Sequence, residues 1–181
     1  MKNHHIKAKQ SWESFSYSGE SYCLKHLDSH EVTFKGQQCD YKFVVSYGLH
    51  CFTKDDQEHS ILTTYFDGFE TRHINLERYH SSKFLKVFIQ KLDSHKLLYE
   101  TTKEKFFTFE QINNLTGKNE TCKVCLCIFK ENRLLRIHVT SAFFYREIKA
   151  LNQKGASIFK IAMDIKRRPK TQVIPKEASR K

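Results

Sequence analysis

Arg136, His138 and Thr140 alternate with Leu135, Ile137 and Val139 along the stretch Arg133 to Tyr145. On a β-strand that spacing sends the polar three to one face and the apolar three to the other. A guanidinium, an imidazole and a hydroxyl in a row on an open face have the parts of a phosphate site. The cation can neutralise charge developing on phosphoryl oxygens. The imidazole can move a proton near neutral pH. Thr140 and the adjacent Ser141 can position a phosphate by hydrogen bonds. A plain solvated sheet face would carry the same residues.

His50 offers a second imidazole. It lies in YKFVVSYGLHCFTK, Tyr41 to Lys54, where Tyr41, Phe43, Val45, Tyr47, Leu49 and Cys51 form one apolar alternating set. RNA cleavage without metal needs a base for the 2′-hydroxyl, an acid for the leaving oxygen and cations for the phosphorane. His50 and His138 are the expected acid–base pair. Arg78, Arg136 and Arg146 are the expected phosphate-stabilising cations, with Arg72 nearby. Glu70, Glu77 and Glu147 stand within two residues of Arg72, Arg78 and Arg146, so local ion pairing is the competing reading. Surface pairs of that kind contribute little stability.

Charge points the same way. The 181 residues carry a net charge of +11, and the sequence pI is about 9.4. A balance that basic is the usual footprint of a phosphate-rich partner. Lys2, Lys7 and Lys9 make a basic arm over residues 1–10. Lys166, Arg167, Arg168 and Lys170 open a basic segment, 166–181, expected to be disordered and to hold nucleic acid. Residues 11–165 form the expected single domain. RNA is the favoured partner over DNA, with a protein partner or inhibitor as a further expectation.

No apolar stretch approaches the roughly 20 residues that span a bilayer, and no apolar core follows the basic N-terminus. The expected compartment is the cytoplasm, with six reduced cysteines. Cys122 and Cys125 have the spacing of a zinc half-site. On a strand, however, they face opposite sides, and no second pair has finger spacing, so neither metal nor cofactor is expected. GxxxxGK[ST], GxGxxG and HExxH are absent.

The elements that must position these groups follow from periodicity. Strands are expected at Glu31–Lys35, Tyr41–Lys54, Lys105–Phe109, Cys122–Lys130, Arg133–Tyr145 and Ile158–Ile165. A hairpin turn is expected at Glu131-Asn132. Ser82 is expected to cap one helix running to Leu92, with Phe84, Leu85, Phe88, Ile89 and Leu92 as its apolar stripe. The expected fold class is α+β: a four- or five-stranded, mainly antiparallel sheet with a helix packed on one face.

Three segments carry a resemblance. Tyr47-Gly48-Leu49-His50-Cys51-Phe52-Thr53, Glu70-Thr71-Arg72 with Glu77-Arg78-Tyr79-His80-Ser81, and Ser141-Ala142-Phe143 before Arg146 resemble an uncharacterised family of small prophage and mobile-element proteins. Some of its members are labelled heat-shock or stationary-phase growth-adaptation proteins. Val139-Thr140-Ser141-Ala142 is more loosely similar to a segment of the barnase–EndoU–colicin–RelE class of metal-independent ribonucleases. That likeness implies roles for His138, Thr140 and Ser141. The expected function is a toxin-like or defence-associated ribonuclease. The alternative is a non-catalytic module binding nucleic acid or protein.

Overall fold

The computed structural model describes residues 6, 8–55, 63–94, 96–102, 105–113, 119–144, 154–168 and 174–179. In chain order these form β1 (Phe15–Tyr17), β2 (Glu20–Tyr22), β3 (His30–Lys35), β4 (Asp40–Tyr47), β5 (Thr53–Lys54), β6 (Thr64–Phe66) and β7 (Thr71–Ile74). Helices α1 (Leu76–Ser82) and α2 (Leu85–Gln90) follow, then β8 (Tyr99–Thr102), β9 (Lys105–Asn113), β10 (Asn119–Glu131), β11 (Leu134–Phe144) and α3 (Ile158–Arg167).

The main sheet has six strands in the order β3-β4-β11-β10-β9-β8. Every neighbouring pair is antiparallel except β4 and β11, which run parallel with Ser46 opposite His138. β1–β2 is a separate hairpin, and β5-β7-β6 is a three-stranded sheet. The fold is therefore mainly β, which corrects the α+β expectation. The main sheet is larger than four or five strands, and eleven strands and three short α-helices are present among the described residues. Helices supply cover rather than a layer of their own.

Strict alternation builds the inner face of this sheet. Phe43, Val45 and Tyr47 lie beside Leu135, Ile137 and Val139, and then beside Val124, Leu126 and Ile128. Leu85, Phe88 and Ile89 of α2 and Ile158, Ile161, Ala162 and Ile165 of α3 close the core from the opposite side.

Residues 158–165, expected as a strand, are helical. Their sequence satisfies two periods at once: 159, 161, 163 and 165 alternate, while 158, 161, 162 and 165 share a helical face. The decisive local signal is Ser157, whose hydroxyl accepts from the Lys160 amide at 3.3 Å as an N-cap. The helix expected from Ser82 to Leu92 is likewise two shorter ones. Asn75 caps α1 by accepting from the Arg78 amide at 2.9 Å. The β10–β11 turn sits one residue later than expected, with Asn132 (φ 47°) and Arg133 (φ 67°) both left-handed. Two left-handed residues match the twist of a two-residue hairpin loop.

The segment read as a disordered tail is packed where it is described. A turn at Lys176–Ala178 buries Ala178 against Cys127 and Phe129, with Ile174 beside them. It roofs part of the outer face of the main sheet, the face turned away from α2 and α3.

Candidate functional site

Beneath that turn, two outward-pointing residues of β11, Arg136 and His138, are sealed. Arg136 is 0% exposed and His138 is 2% exposed. The Arg136 guanidinium pairs with the buried Glu131 carboxylate and donates to Ser46 Oγ at 2.9 Å. Ser46 Oγ is 2.9 Å from His138 Nδ1. The guanidinium carbon also lies 5.3 Å from the Phe129 ring centroid. Alternation does send Arg136 and His138 to the face opposite Leu135 and Ile137. That face is covered rather than open, so these two residues do not meet solvent phosphate.

His50 sits elsewhere, in a 3-10 turn at Leu49–Cys51. Gly48 permits the turn. Its amide donates to the Val139 carbonyl at 2.8 Å, and a Cβ there would meet Thr140 O at 3.1 Å and His138 Nε2 at 3.2 Å. The His50 side chain is 46% exposed, with Nε2 3.9 Å from the Glu70 carboxylate. Arg72, on β7, is 8% exposed and pairs with Glu70 at 2.9 Å and Asp55 at 3.2 Å. Arg78, on α1, donates to the backbone carbonyls of Thr53 at 2.8 Å and His50 at 3.2 Å. Burial, and then Arg72, hold the His50 pKa below its ordinary value. Two guanidiniums thus gather near His50, but Glu70 and Asp55 share the same opening and offset their charge.

The structure joins His50, Arg72 and Arg78 in one cluster and places Arg136 and His138 in another. Arg146 and Lys170 lie outside the described residues. Lys166 and Arg167 are exposed on the last turn of α3, and the Lys166 ammonium sits 4.5 Å from the Tyr41 ring centroid. Arg168 is half-buried, and its carbonyl accepts from Lys130 Nζ at 2.7 Å. Thr140 donates to the Cys125 carbonyl at 3.1 Å, and Ser141 lies opposite Cys125 in the strand register. Burial raises the Cys51 and Cys122 thiols to about 12, so both stay protonated.

Sequence reasoning missed a half-open basin on the uncovered part of the outer face. It has a volume of about 150 Å³ and is bounded by Lys105, Phe107, Lys123, Cys125, Thr101 and Thr140. The signal was available: Lys105, Phe107 and Phe109 alternate on β9, and Lys123, Cys125 and Cys127 alternate on β10.

Burial also holds His26 and His30 below the ordinary imidazole pKa of 6.5. The unfolded chain takes up these protons first, so it binds more protons than the fold, and stability rises with pH across that region. The urea midpoint is expected to fall as pH drops from 7.5 through 6.5 to 5.5. His26→Gln should flatten that slope. A midpoint that holds steady or climbs on acidification contradicts the assignment.

The fold and site define a mainly β protein with an internal ion pair beneath one half of its main sheet and a cationic basin on the other. Residues 14–166 match the YjaZ family, and the chain belongs to that family. It is similar to Protein YjaZ of Escherichia coli (strain K12), at 28% identity over 173 residues, covering 87% of this chain and 92% of that protein. This corrects the expected kinship: the match is to the YjaZ family, and nothing supports a prophage family or the barnase–EndoU–colicin–RelE class. No solved structure matches. Among the described residues, no helix is long and apolar enough to cross a membrane.

Proposed function

We propose that this chain is a non-catalytic module that binds single-stranded RNA. The observation that carries the reading is the engagement of Arg72, Arg78 and Arg136, the expected phosphate-binding arginines of the sheet and α1. Arg136 is held by Glu131, Arg72 by Glu70 and Asp55, and Arg78 by two backbone carbonyls. A phosphorane would need those groups turned toward it, beside a solvent-facing pair of imidazoles. Lys166 and Arg167, by contrast, stand exposed at the end of α3. Binding of this kind is dominated by counterion release and needs no reacting group.

Fluorescence anisotropy with a labelled single-stranded RNA, in EDTA, tests it. Affinity should fall linearly in log–log form with salt, by about 0.7 per phosphate contacted. Lys166→Glu with Arg167→Glu should weaken binding about tenfold or more, because two favourable contacts become repulsive. The RNA should remain intact. Cleavage in EDTA that His50→Ala abolishes would overturn the reading in favour of a ribonuclease. An absence of binding at low salt to both RNA and DNA would favour a protein partner.

A further inference from the structure

We infer that Tyr41 and Phe159 form a platform on which a base of the bound RNA stacks, beside the Lys166 and Arg167 side chains that take its phosphates. The inference rests on the single-stranded RNA reading above and names the base contact that reading lacks.

Two distant segments build the platform. Tyr41 lies on β4, and Phe159 lies in the first turn of α3. Both rings back onto the core, yet each stays half-exposed. Their centroids are 6.2 Å apart and their planes are inclined at 61°. Two rings at that angle enclose a corner rather than a closed stack. A planar base can lie on one ring and meet the other at its edge, the geometry aromatic groups prefer.

The loop between β3 and β4 walls the corner. A Cβ at Gly36 would meet Cys39 O at 2.7 Å, Tyr41 Cε2 at 3.3 Å and Phe159 Cδ1 at 3.5 Å. Glycine therefore lets the loop lie this close to both rings. Gln37 and Gln38 follow it and are exposed. Their amides can both donate and accept hydrogen bonds, as the edge of a base does.

Lys166 supplies the nearest cation. Its ammonium lies 4.5 Å from the Tyr41 ring centroid and 3.9 Å from Cys39 Sγ. An ammonium lodged against an aromatic face is partly oriented before any ligand arrives. Arg167 is close enough for its charge to act on the Tyr41 hydroxyl. On residues 35–40 and along α3, exposed cations outnumber exposed carboxylates: Lys35, Lys160, Lys166 and Arg167 against Asp40 and Asp164. The His50 cluster differs, because Glu70 and Asp55 pair directly with its Arg72. Half-exposed rings beside exposed cations are the two parts of a single-strand site. The cations follow the backbone, and the rings take bases of any sequence. A duplex hides its base faces, so the corner favours an unpaired strand.

Fluorescence anisotropy at fixed salt, with two labelled strands of equal length, tests the platform. One is oligouridine and the other an abasic ribose-phosphate strand. Wild type should bind oligouridine about tenfold tighter, the order expected for one base stacked on an aromatic ring. Tyr41→Leu with Phe159→Leu keeps apolar bulk against the core and removes both rings. It should erase that preference and leave affinity for the abasic strand unchanged. Tyr41→Phe should retain the preference. Lys166→Glu with Arg167→Glu should weaken both strands alike. The urea midpoint of the leucine variant confirms that it remains folded, and the comparison of strands on wild type needs no variant.

Equal affinity of wild type for the two strands overturns the platform and leaves the charge-driven RNA module standing. A preference that survives in the leucine variant does the same. Binding of neither strand discards the RNA reading, and the platform with it.

Discussion

Replacing Arg136 with alanine is expected to remove about 3–5 kcal/mol of stability, the usual result of stranding one member of a buried ion pair. Glu131 would keep its charge in a pocket where its side chain is 3% exposed. Ser46 would lose the guanidinium donor it holds at 2.9 Å. The matched replacement, Glu131→Leu with Arg136→Met, should instead be close to neutral, because desolvation of the pair disappears together with its attraction. Urea unfolding of the wild type, the single variant and the double variant measures both effects. RNA affinity of the double variant should match wild type, since neither group reaches solvent. A single-variant cost under about 1 kcal/mol would show that the pair is not sealed as described. A large loss of RNA affinity in the stable double variant would return Arg136 to the binding surface.

Phe52→Ala should rank next, at about 3–5 kcal/mol, the range for emptying an aromatic site in a packed core. Phe52 is fully buried and lies edge-on to Trp12 at 5.2 Å and to Tyr65 at 5.1 Å, with Phe15 stacked at 6.1 Å. Aromatic pairs of this kind add about 0.5–1.5 kcal/mol each beyond area burial. The ring therefore ties three peripheral pieces to the main sheet: the chain at Trp12, the β1–β2 hairpin and the β5-β7-β6 sheet. Its backbone carbonyl also accepts from the Asn75 amide at 3.0 Å, next to the cap of α1. Phe52→Leu should cost markedly less, since most of the volume remains. Chemical denaturation gives the two values. Equal costs for alanine and leucine would mean that ring geometry, rather than filled volume, dominates there.

Periodicity located the central strands because their inner faces obey a strict two-residue rule, as in Phe43, Val45 and Tyr47. It could not reveal which strands are neighbours. The parallel pairing of β4 with β11 joins segments some ninety residues apart, and no turn chemistry marks such a contact. α3 escaped because its apolar residues satisfy both strand and helix spacing. Only the capping serine distinguished them. Arg136 and His138 were placed on the correct face. Whether that face is wet depends on the turn around Ala178, and a run of six residues with one buried alanine gives no periodic signal. The basin was visible as alternation on β9 and β10, yet its lysines looked like ordinary strand lysines until register put them on one face, on either side of the Phe107–Cys125 pair.

The roof over Cys127 and Phe129 has a practical consequence for handling this protein. A form of this protein cut ahead of Ile174 would bare that patch and let water approach the Arg136–Glu131 pair, so it would melt at a lower temperature, an artefact easily mistaken for intrinsic fragility.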